Sequence, residues 1–351
     1  MNPNIAIVGA TGAVGREMLD VLHNRKFPCG GIICLASPRS AGQVIDHPLG
    51  KFTVQPTTAE SFKDIQLALF SAGSGISKQY GPVAAAAGAV VVDNSSAFRM
   101  DPAIPLVVPE VNPQHIPQAM RGGKVGGIIA NPNCSTIIML VAVNPLYRAF
   151  GCDRIVVSTY QAASGAGAQA MEELREQTRD VLEGRPAVPK IFKEPYAFNL
   201  FSHNTTIDPV TGLNVEEQKM ILESYKIWGD DAVRITATCI RVPVLRAHCE
   251  SINLTLSREV SLAQVHDVLA KAPGLTILDD RAANDFPTPL KVSGKDNVLV
   301  GRLRLDPSQT RGGLNAPADA LSRGIEMFVS GDQLLKGAAL NAVQIAELVF
   351  Q

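Results

Sequence analysis

Long apolar runs are missing from this 351-residue chain. The longest stretches, such as Ile137 to Val143, fall far below the ~18 residues that a membrane-spanning helix requires. The first residues, Met1 to Val8, run straight into an apolar strand pattern, without the basic segment and apolar core of a secretory leader. An excess of one charge is missing too. Lys and Arg number 32 against 33 Asp and Glu, a formal net charge of −1, so nothing in the balance points to a polyanion such as nucleic acid. No Cys-x-x-Cys pair occurs among the six scattered cysteines, which argues against a zinc site or a disulfide framework. What is present is 46% apolar and 19% charged, the balance of a folded globular protein. The expectation is a soluble, cytoplasmic protein with no metal, no nucleic-acid partner and no membrane segment. Its length suits two domains of ~100–200 residues each.

The first third alternates short apolar runs with helical spacing. Ile5–Val8, Ile32–Ala36, Leu67–Ser71, Val90–Asp93 and Ile128–Ala130 read as strands, and Val14, Met18, Val21 and Leu22 recur on one helical face. Strands alternating with helices predict a parallel sheet covered on both faces. After residue 133 the character changes. A helix is predicted from Cys134, followed by longer alternating strands at Arg154–Tyr160, Val233–Pro243 and Ser251–Leu256. The predicted fold is α/β: a Rossmann-type parallel-sheet domain over 1–133, then an α+β domain with a mixed sheet over 134–330. The last segment, 331–351, is expected to be a helix returning to the first domain. Gly184 to Pro209 and Asp306 to Pro317 read as loops.

Gly9-Ala10-Thr11-Gly12-Ala13-Val14-Gly15 follows the first strand and opens the first helix, the setting that a dinucleotide-binding loop needs. Gly9 permits the tight turn, Gly12 lets a pyrophosphate approach the backbone, and Gly15 lets helix and strand pack closely. A glycine-rich turn without a ligand would carry the same letters; the strand–loop–helix context favours the nucleotide. At the end of the second strand an NAD site wants a carboxylate for the ribose hydroxyls. This chain offers Ser37-Pro38-Arg39-Ser40 instead, with no acidic residue between Leu35 and Ile45. Arg39 can pair with a 2′-phosphate and Ser40 can hydrogen-bond to it, so the reading is NADP.

Asn131-Pro132-Asn133-Cys134-Ser135-Thr136 precedes an apolar run. A thiol at a helix start sits at the positive end of the helix dipole, which favours the thiolate and hence a nucleophile. A buried structural cysteine is the commoner fate, and the residues alone leave both readings open. A thiolate nucleophile needs an acid/base partner. His248, in Arg241-Val242-Pro243-Val244-Leu245-Arg246-Ala247-His248-Cys249, lies where a strand begins and is the best placed of six histidines, although a core or surface histidine would read alike.

Taken in order, GATGAVG, SPRSAG, DNSSAFR (Asp93 to Arg99), VPEVN (Val108 to Asn112), NPNCST, QAASGAG (Gln161 to Gly167), EEQK (Glu216 to Lys219), RVPVLRAHCE and GAALNAVQIAE resemble the aspartate-semialdehyde dehydrogenase family over essentially the whole chain. The resemblance implies a homodimeric oxidoreductase that reduces 4-phospho-L-aspartate to L-aspartate 4-semialdehyde with NADPH and releases phosphate, in lysine, methionine and threonine biosynthesis. It implies Cys134 as thioester nucleophile, His248 as acid/base and Gln161 as the group orienting substrate. It assigns Arg241 to the substrate carboxylate and Glu216 to the amino group, with Glu217 as the alternative. Arg99, Asn133 and Lys219 are implied at the phosphate. Gly9, Thr11, Gly12, Ala13, Val14, Gly15, Arg39, Ser40, Ser164, Gly165 and Asn341 are implied at NADP. Two other readings remain: an N-acetyl-glutamyl-phosphate reductase, which shares the cysteine, NADP and acyl-phosphate logic, and an inactive homologue acting as a binding protein.

Overall fold

The computed structural model describes residues 2–350. The chain divides into two compact units, one formed by residues up to Asn133 together with those from Gly337 onward, the other by Cys134–Lys336.

The first unit runs β1 (Asn4–Val8), α1 (Ala13–Asn24), β2 (Gly31–Ala36), β3 (Val44–His47), β4 (Gly50–Thr53), β5 (Gln55–Pro56), β6 (Leu67–Phe70), α2 (Ser74–Ala86), β7 (Val90–Asp93) and β8 (Gly127–Ala130). Six strands form one sheet in the order β5-β2-β1-β6-β7-β8, all parallel, and β3 pairs with β4 in a small hairpin. The sheet is covered on both faces. Ala68 and Phe70 pack in one cluster with Ala84 of α2, while Leu67 and Leu69, of opposite parity, are just as buried. That is why these strands read as unbroken apolar runs rather than as alternation.

The turn from β1 to α1 is built on two close approaches. Gly9 has φ +91, and a Cβ there would stand 2.5 Å from the Ser71 carbonyl oxygen. A Cβ on Gly15 would stand 2.3 Å from the carbonyl oxygen of Gly9, so the first turn of α1 lies directly on the loop that precedes it.

The second unit contains α3 (Cys134–Phe150), β9 (Cys152–Gln161), α4 (Ala168–Leu182), β10 (Phe201–Ser202), α5 (Val215–Trp228), β11 (Arg234–Arg241), β12 (His248–Val260), α6 (Leu262–Ala270), β13 (Leu275–Ile277), α7 (Pro289–Val292), β14 (Val298–Leu305) and β15 (Ser322–Gly331). Its seven-stranded sheet has the order β10-β11-β9-β12-β15-β14-β13 and is mixed: β11–β9 and β13–β14 pair in parallel, the remaining neighbours antiparallel. Helix α3 packs on β12 and against α5 and α6. From Ile155 to Gln161 buried positions alternate with more accessible ones, the mark of a sheet with one face on helices.

Two elements differ from the sequence reading. β12 begins at His248 rather than Ser251, because His248 and Glu250 are fully buried polar residues that apolar alternation does not register. The C-terminal segment is not one helix. β15 ends at Gly331, a π-turn spans Leu335–Ala339, and only α8 (Leu340–Phe350) is α-helical. The buried Asp332 carboxylate accepts from the amides of Leu334 and Leu335, which turns the chain before the helix can start. No helix among the described residues is long and apolar enough to cross a membrane.

The loop geometry fixes an expectation. Gly15→Ala forces its methyl into a backbone oxygen that cannot rotate away, so it should destabilise the protein by about 1–3 kcal/mol, the usual range for overpacking. Urea unfolding of the variant measures this, and an unchanged midpoint would mean that α1 slides freely on its loop.

Candidate active site

In the first unit, Gly12 is the N-cap of α1 and no side chain caps the helix, so the first-turn amides next to Thr11, Ala13, Val14 and Gly15 face an open end. An uncapped helix N-terminus behind a glycine turn that leaves no room for side chains fits a pyrophosphate. After β2, Pro38–Ser40 form a short 3-10 turn. Arg39 on it is exposed and has no hydrogen-bonding or ionic partner among the described residues, while the Ser40 amide donates to the Ser37 carbonyl. Asn341 of α8 is fully buried. Its amide donates to Asn131 Oδ1 (2.6 Å) and the Val107 carbonyl (3.1 Å), tying α8 to the loop after β8. Arg99 is held from the same loop, with Nε donating to the Asn131 carbonyl (2.9 Å) and Nη2 to that of Asn94 (2.7 Å). Asn133, buried, closes this unit immediately before Cys134.

In the second unit, Cys134 is the first residue of α3 and half-buried. Register brings the other groups together: Arg241 at the end of β11 pairs with Gln161 at the end of β9, and β12 starts beside them at His248, with Cys249 opposite Tyr160. The Gln161 amide donates to Ser135 Oγ (2.6 Å) and to Glu216 Oε1 (3.3 Å), and Lys219 Nζ donates to Glu216 Oε2 (3.1 Å). The two adjacent glutamates are thereby distinguished. Glu217 forms the capping box of α5 with Asn214 and accepts from the Cys239 amide (2.9 Å), while Glu216 carries the contacts to Gln161 and Lys219. Ser164 and Gly165 lie on the turn after β9. The Gln333 amide donates to the Ser164 hydroxyl. A Cβ on Gly165 would stand 2.9 Å from His248 Nε2 and 3.0 Å from Arg241 Nη1, so this glycine leaves the space between ring and guanidinium open.

His248 is completely buried, and its Nδ1 accepts the Ala162 backbone N–H (3.0 Å). A backbone amide can only donate, so Nδ1 is bare and the neutral ring carries its proton on Nε2, which has no hydrogen-bond partner among the described residues. Burial, reinforced by the Arg241 charge, lowers the His248 pKa to about 3. Sequence reasoning missed His203, just after β10. Its ring accepts from Arg241 Nη2 (2.7 Å), burial lowers its pKa to about 4, and its other nitrogen meets Thr205 Oγ1 (3.3 Å). Arg241 is 2% exposed. It donates further to the Ala162 carbonyl (2.9 Å) and Asn204 Oδ1 (3.2 Å), its Nε is unpartnered, and it feels the Cys134 and Glu216 charges. The signal for His203 was weak, since it lies in a stretch without periodicity. The remaining five cysteines are pushed up by burial, Cys34 and Cys249 to about 11 and Cys152 to about 12, and so remain thiols near neutral pH. No His, Cys, Asp and Glu cluster among the described residues could hold a metal ion.

Residues 4–119 match the family model for the NAD-binding domain of semialdehyde dehydrogenases, and residues 143–336 match the model for their dimerisation domain. The aspartate-semialdehyde dehydrogenase of Synechocystis is 48% identical over 99% of this chain and 97% of its own. That of Aquifex aeolicus is 46% identical over 99% and 98%. The chain belongs to the aspartate-semialdehyde dehydrogenase family. A crystal structure of the Vibrio cholerae aspartate semialdehyde dehydrogenase II complexed with ASA superposes with a TM-score of 0.91, at 42% identity, over 99% of this chain and 98% of that one. Membership makes the chain an oxidoreductase of aldehydes with a nicotinamide-dinucleotide-binding domain, and the Rossmann-type unit and the mixed-sheet unit are the family's two parts.

The two neutral histidines make folding pH-dependent. Their folded pKa values lie below the ordinary 6.5, so as pH falls the unfolded chain takes up protons that the folded one refuses. Stability should therefore decline from pH 6.5 downward, until about pH 4 for His203 and about pH 3 for His248. Replacing His203 with Asn should flatten this decline by up to about 1.4 kcal/mol per pH unit. Urea midpoints at pH 7.5, 6 and 5 test it, and an unaltered slope would mean that His203 is not held neutral.

Proposed function

We propose that this chain is an NADP-dependent, phosphorylating aspartate-semialdehyde dehydrogenase acting as a homodimer, with 4-phospho-L-aspartate as its biosynthetic substrate. The observation that carries the reading is the gathering of Gln161, Glu216, Lys219, Arg241 and His248 in the unit whose first helix opens at Cys134. The family match to a dimerisation domain supports the homodimer.

Cys134 is the nucleophile. At the start of α3 the helix dipole favours its thiolate, and the neighbouring Arg241 charge acts the same way. The sulfur attacks the acyl carbon, the carbon–oxygen bond to phosphate breaks, and the phosphate leaves with the electron pair; a thioester on Cys134 remains. NADPH, when bound, would supply the hydride for reduction of this thioester. The resulting oxyanion reforms a carbonyl as the carbon–sulfur bond breaks, which releases the aldehyde and returns the thiolate. His248 offers its Nε2–H to that oxygen, and the Ala162 amide on Nδ1 holds the ring in the donating tautomer. Gln161, anchored on Ser135, orients the acyl group. Arg241 takes the substrate carboxylate and Glu216 the amino group, while Lys219, Arg99 and Asn133 serve the phosphate. Thr11, Gly12, Ala13, Val14, Arg39, Ser40, Ser164, Gly165 and Asn341 serve NADP.

The deciding experiment is phosphate-dependent reduction of NADP with L-aspartate 4-semialdehyde, set beside N-acetyl-glutamate semialdehyde. Turnover of the first and little of the second is expected; the reverse preference overturns the reading. Cys134→Ala should abolish turnover while NADP still binds, and near-normal activity in that variant would remove the thioester route.

Cofactor choice rests on Arg39. A charge-assisted contact to a 2′-phosphate is worth about 1.5–3 kcal/mol, or about ten- to a hundredfold in affinity. Arg39→Ala should therefore lower kcat/KM with NADP by about that factor and leave NAD little changed. Steady-state rates with both cofactors measure it. A wild-type preference for NAD, or an equal loss with both, would show that Arg39 does not select the cofactor.

A further inference from the structure

Arg241 presents an unusual problem: a cation 2% exposed whose side-chain hydrogen bonds among the described residues include no carboxylate. Its acceptors, the Ala162 carbonyl, the neutral His203 ring and Asn204 Oδ1, all lack a negative charge. A further neighbour is an aromatic face. The Phe192 ring centroid lies 5.6 Å from Arg241 Cζ, within cation–π range.

That ring is held with care. Phe192 packs with Tyr196 (centroids 4.9 Å apart) and Phe201 (5.5 Å), and Tyr196 and Phe201 are themselves 5.5 Å apart. Three rings thus share one cluster in a chain with only 12 Phe, 5 Tyr and 1 Trp. The segment carrying Phe192 and Tyr196 has no regular structure of its own; two buried side chains one turn apart on α4 clamp it. Glu173 accepts from the amides of Lys190 (2.8 Å) and Ile191 (2.7 Å). Gln177 donates to the Val188 carbonyl (3.0 Å) and accepts from the amides of Tyr196 (2.6 Å) and Ala197 (3.2 Å), and it also donates to Glu173 (2.8 Å). Tyr196 Oη closes the clamp on the Val242 carbonyl (2.7 Å), next to Arg241 in sequence.

We propose that Phe192 is a positioning residue for substrate recognition: its ring supports the charge and fixes the plane of Arg241 without occupying an N–H, so the guanidinium meets the substrate carboxylate as its first counter-ion. A carboxylate in place of the ring would stabilise the cation equally well and then compete with the substrate. A π-face does not compete. Glu173 and Gln177 act one step further out by fixing the segment that bears the ring. The proposal rests on the reading of Arg241 as the carboxylate-binding residue.

The test uses the full-length protein in the phosphate-dependent reaction, with KM measured for both the semialdehyde and phosphate. Phe192→Leu should raise KM for the semialdehyde by about two- to thirtyfold, the range of a desolvated cation–π contact. KM for phosphate should stay within about twofold, and Phe192→Tyr, which keeps a π-face, should restore the parent value. Phe192→Met nearly preserves the volume without the face and carries the same expectation if the leucine variant folds poorly. Arg241→Leu separates the two levels of the argument. If it leaves KM for the semialdehyde unchanged, the carboxylate assignment itself is wrong. If it raises that KM while the Phe192 variants leave it unchanged, or move both KM values equally, the positioning role is overturned. Added to Arg241→Leu, Phe192→Leu should produce no further rise; a second rise of full size also overturns it, since it would show that the ring acts through something other than Arg241.

Discussion

A guanidinium buried at the end of β11, whose hydrogen bonds among the described residues include no carboxylate, is the constraint around which its surroundings in the second unit are arranged. A cation in low dielectric is expensive unless its surroundings are polar or oppositely charged, and burial accordingly pulls the Arg241 pKa down. The neighbours divide that burden. A main-chain carbonyl, a side-chain amide oxygen and a neutral imidazole take its hydrogens, and an aromatic face lies against it. The same charge acts outward on the histidines. It opposes a proton on His248 and on His203, both already disfavoured by burial. Desolvation is the larger cause in both rings, and the buried arginine adds to it. Glu250, two residues along β12 from His248, follows the converse rule: burial, with no hydrogen-bond partner among the described residues, raises its carboxyl well above the usual range.

On the proposed function, the two units would recognise anions in different ways. The first unit presents main-chain amides at an uncapped helix end, a device that needs glycines because side chains would fill the space, and adds one exposed arginine on a short turn. The second unit uses side chains brought to neighbouring strand ends by register, with Arg241 opposite Gln161 and His248 opening the next strand. Register matters here because a slip of one residue would send all three side chains to the other face of the sheet. The antiparallel pairing of β12 with both β9 and β15 guards against that slip over a long stretch.

Much of this was legible in the letters, and the remainder failed for identifiable physical reasons. The parallel sheet announced itself because strands buried on both faces are apolar without interruption. The helix start at Cys134 was readable because Pro132 ends one element and an apolar run begins another. The adjacent Glu216 and Glu217 could not be told apart. Either could serve a helix start or a site, and only the three-dimensional partners separate them: Asn214 and the Cys239 amide for one, Gln161 and Lys219 for the other. His203 and Phe192 were invisible for a related reason. They lie in stretches with no periodicity: Phe192 is placed by Glu173, Gln177 and the Val242 carbonyl, and His203 by β11 and Arg241, all distant in sequence.

Local rules read what a residue does to its own turn of helix or its own strand, and they succeed where the feature itself is local, such as a glycine turn or a helix start. The environment of a buried charge is not local. It is set by whichever elements the fold packs around it, here β10, α4, the turn after β9 and the clamped segment 188–197. Each of those pieces read alone is ordinary: a two-residue edge strand, an amphipathic helix with two buried polar side chains, a turn, an irregular loop. Buried Glu173 and Gln177 carry the clearest hint, since polar groups are withdrawn from water only where they satisfy something else, and what they satisfy is the backbone of the segment that carries Phe192 to the face of Arg241.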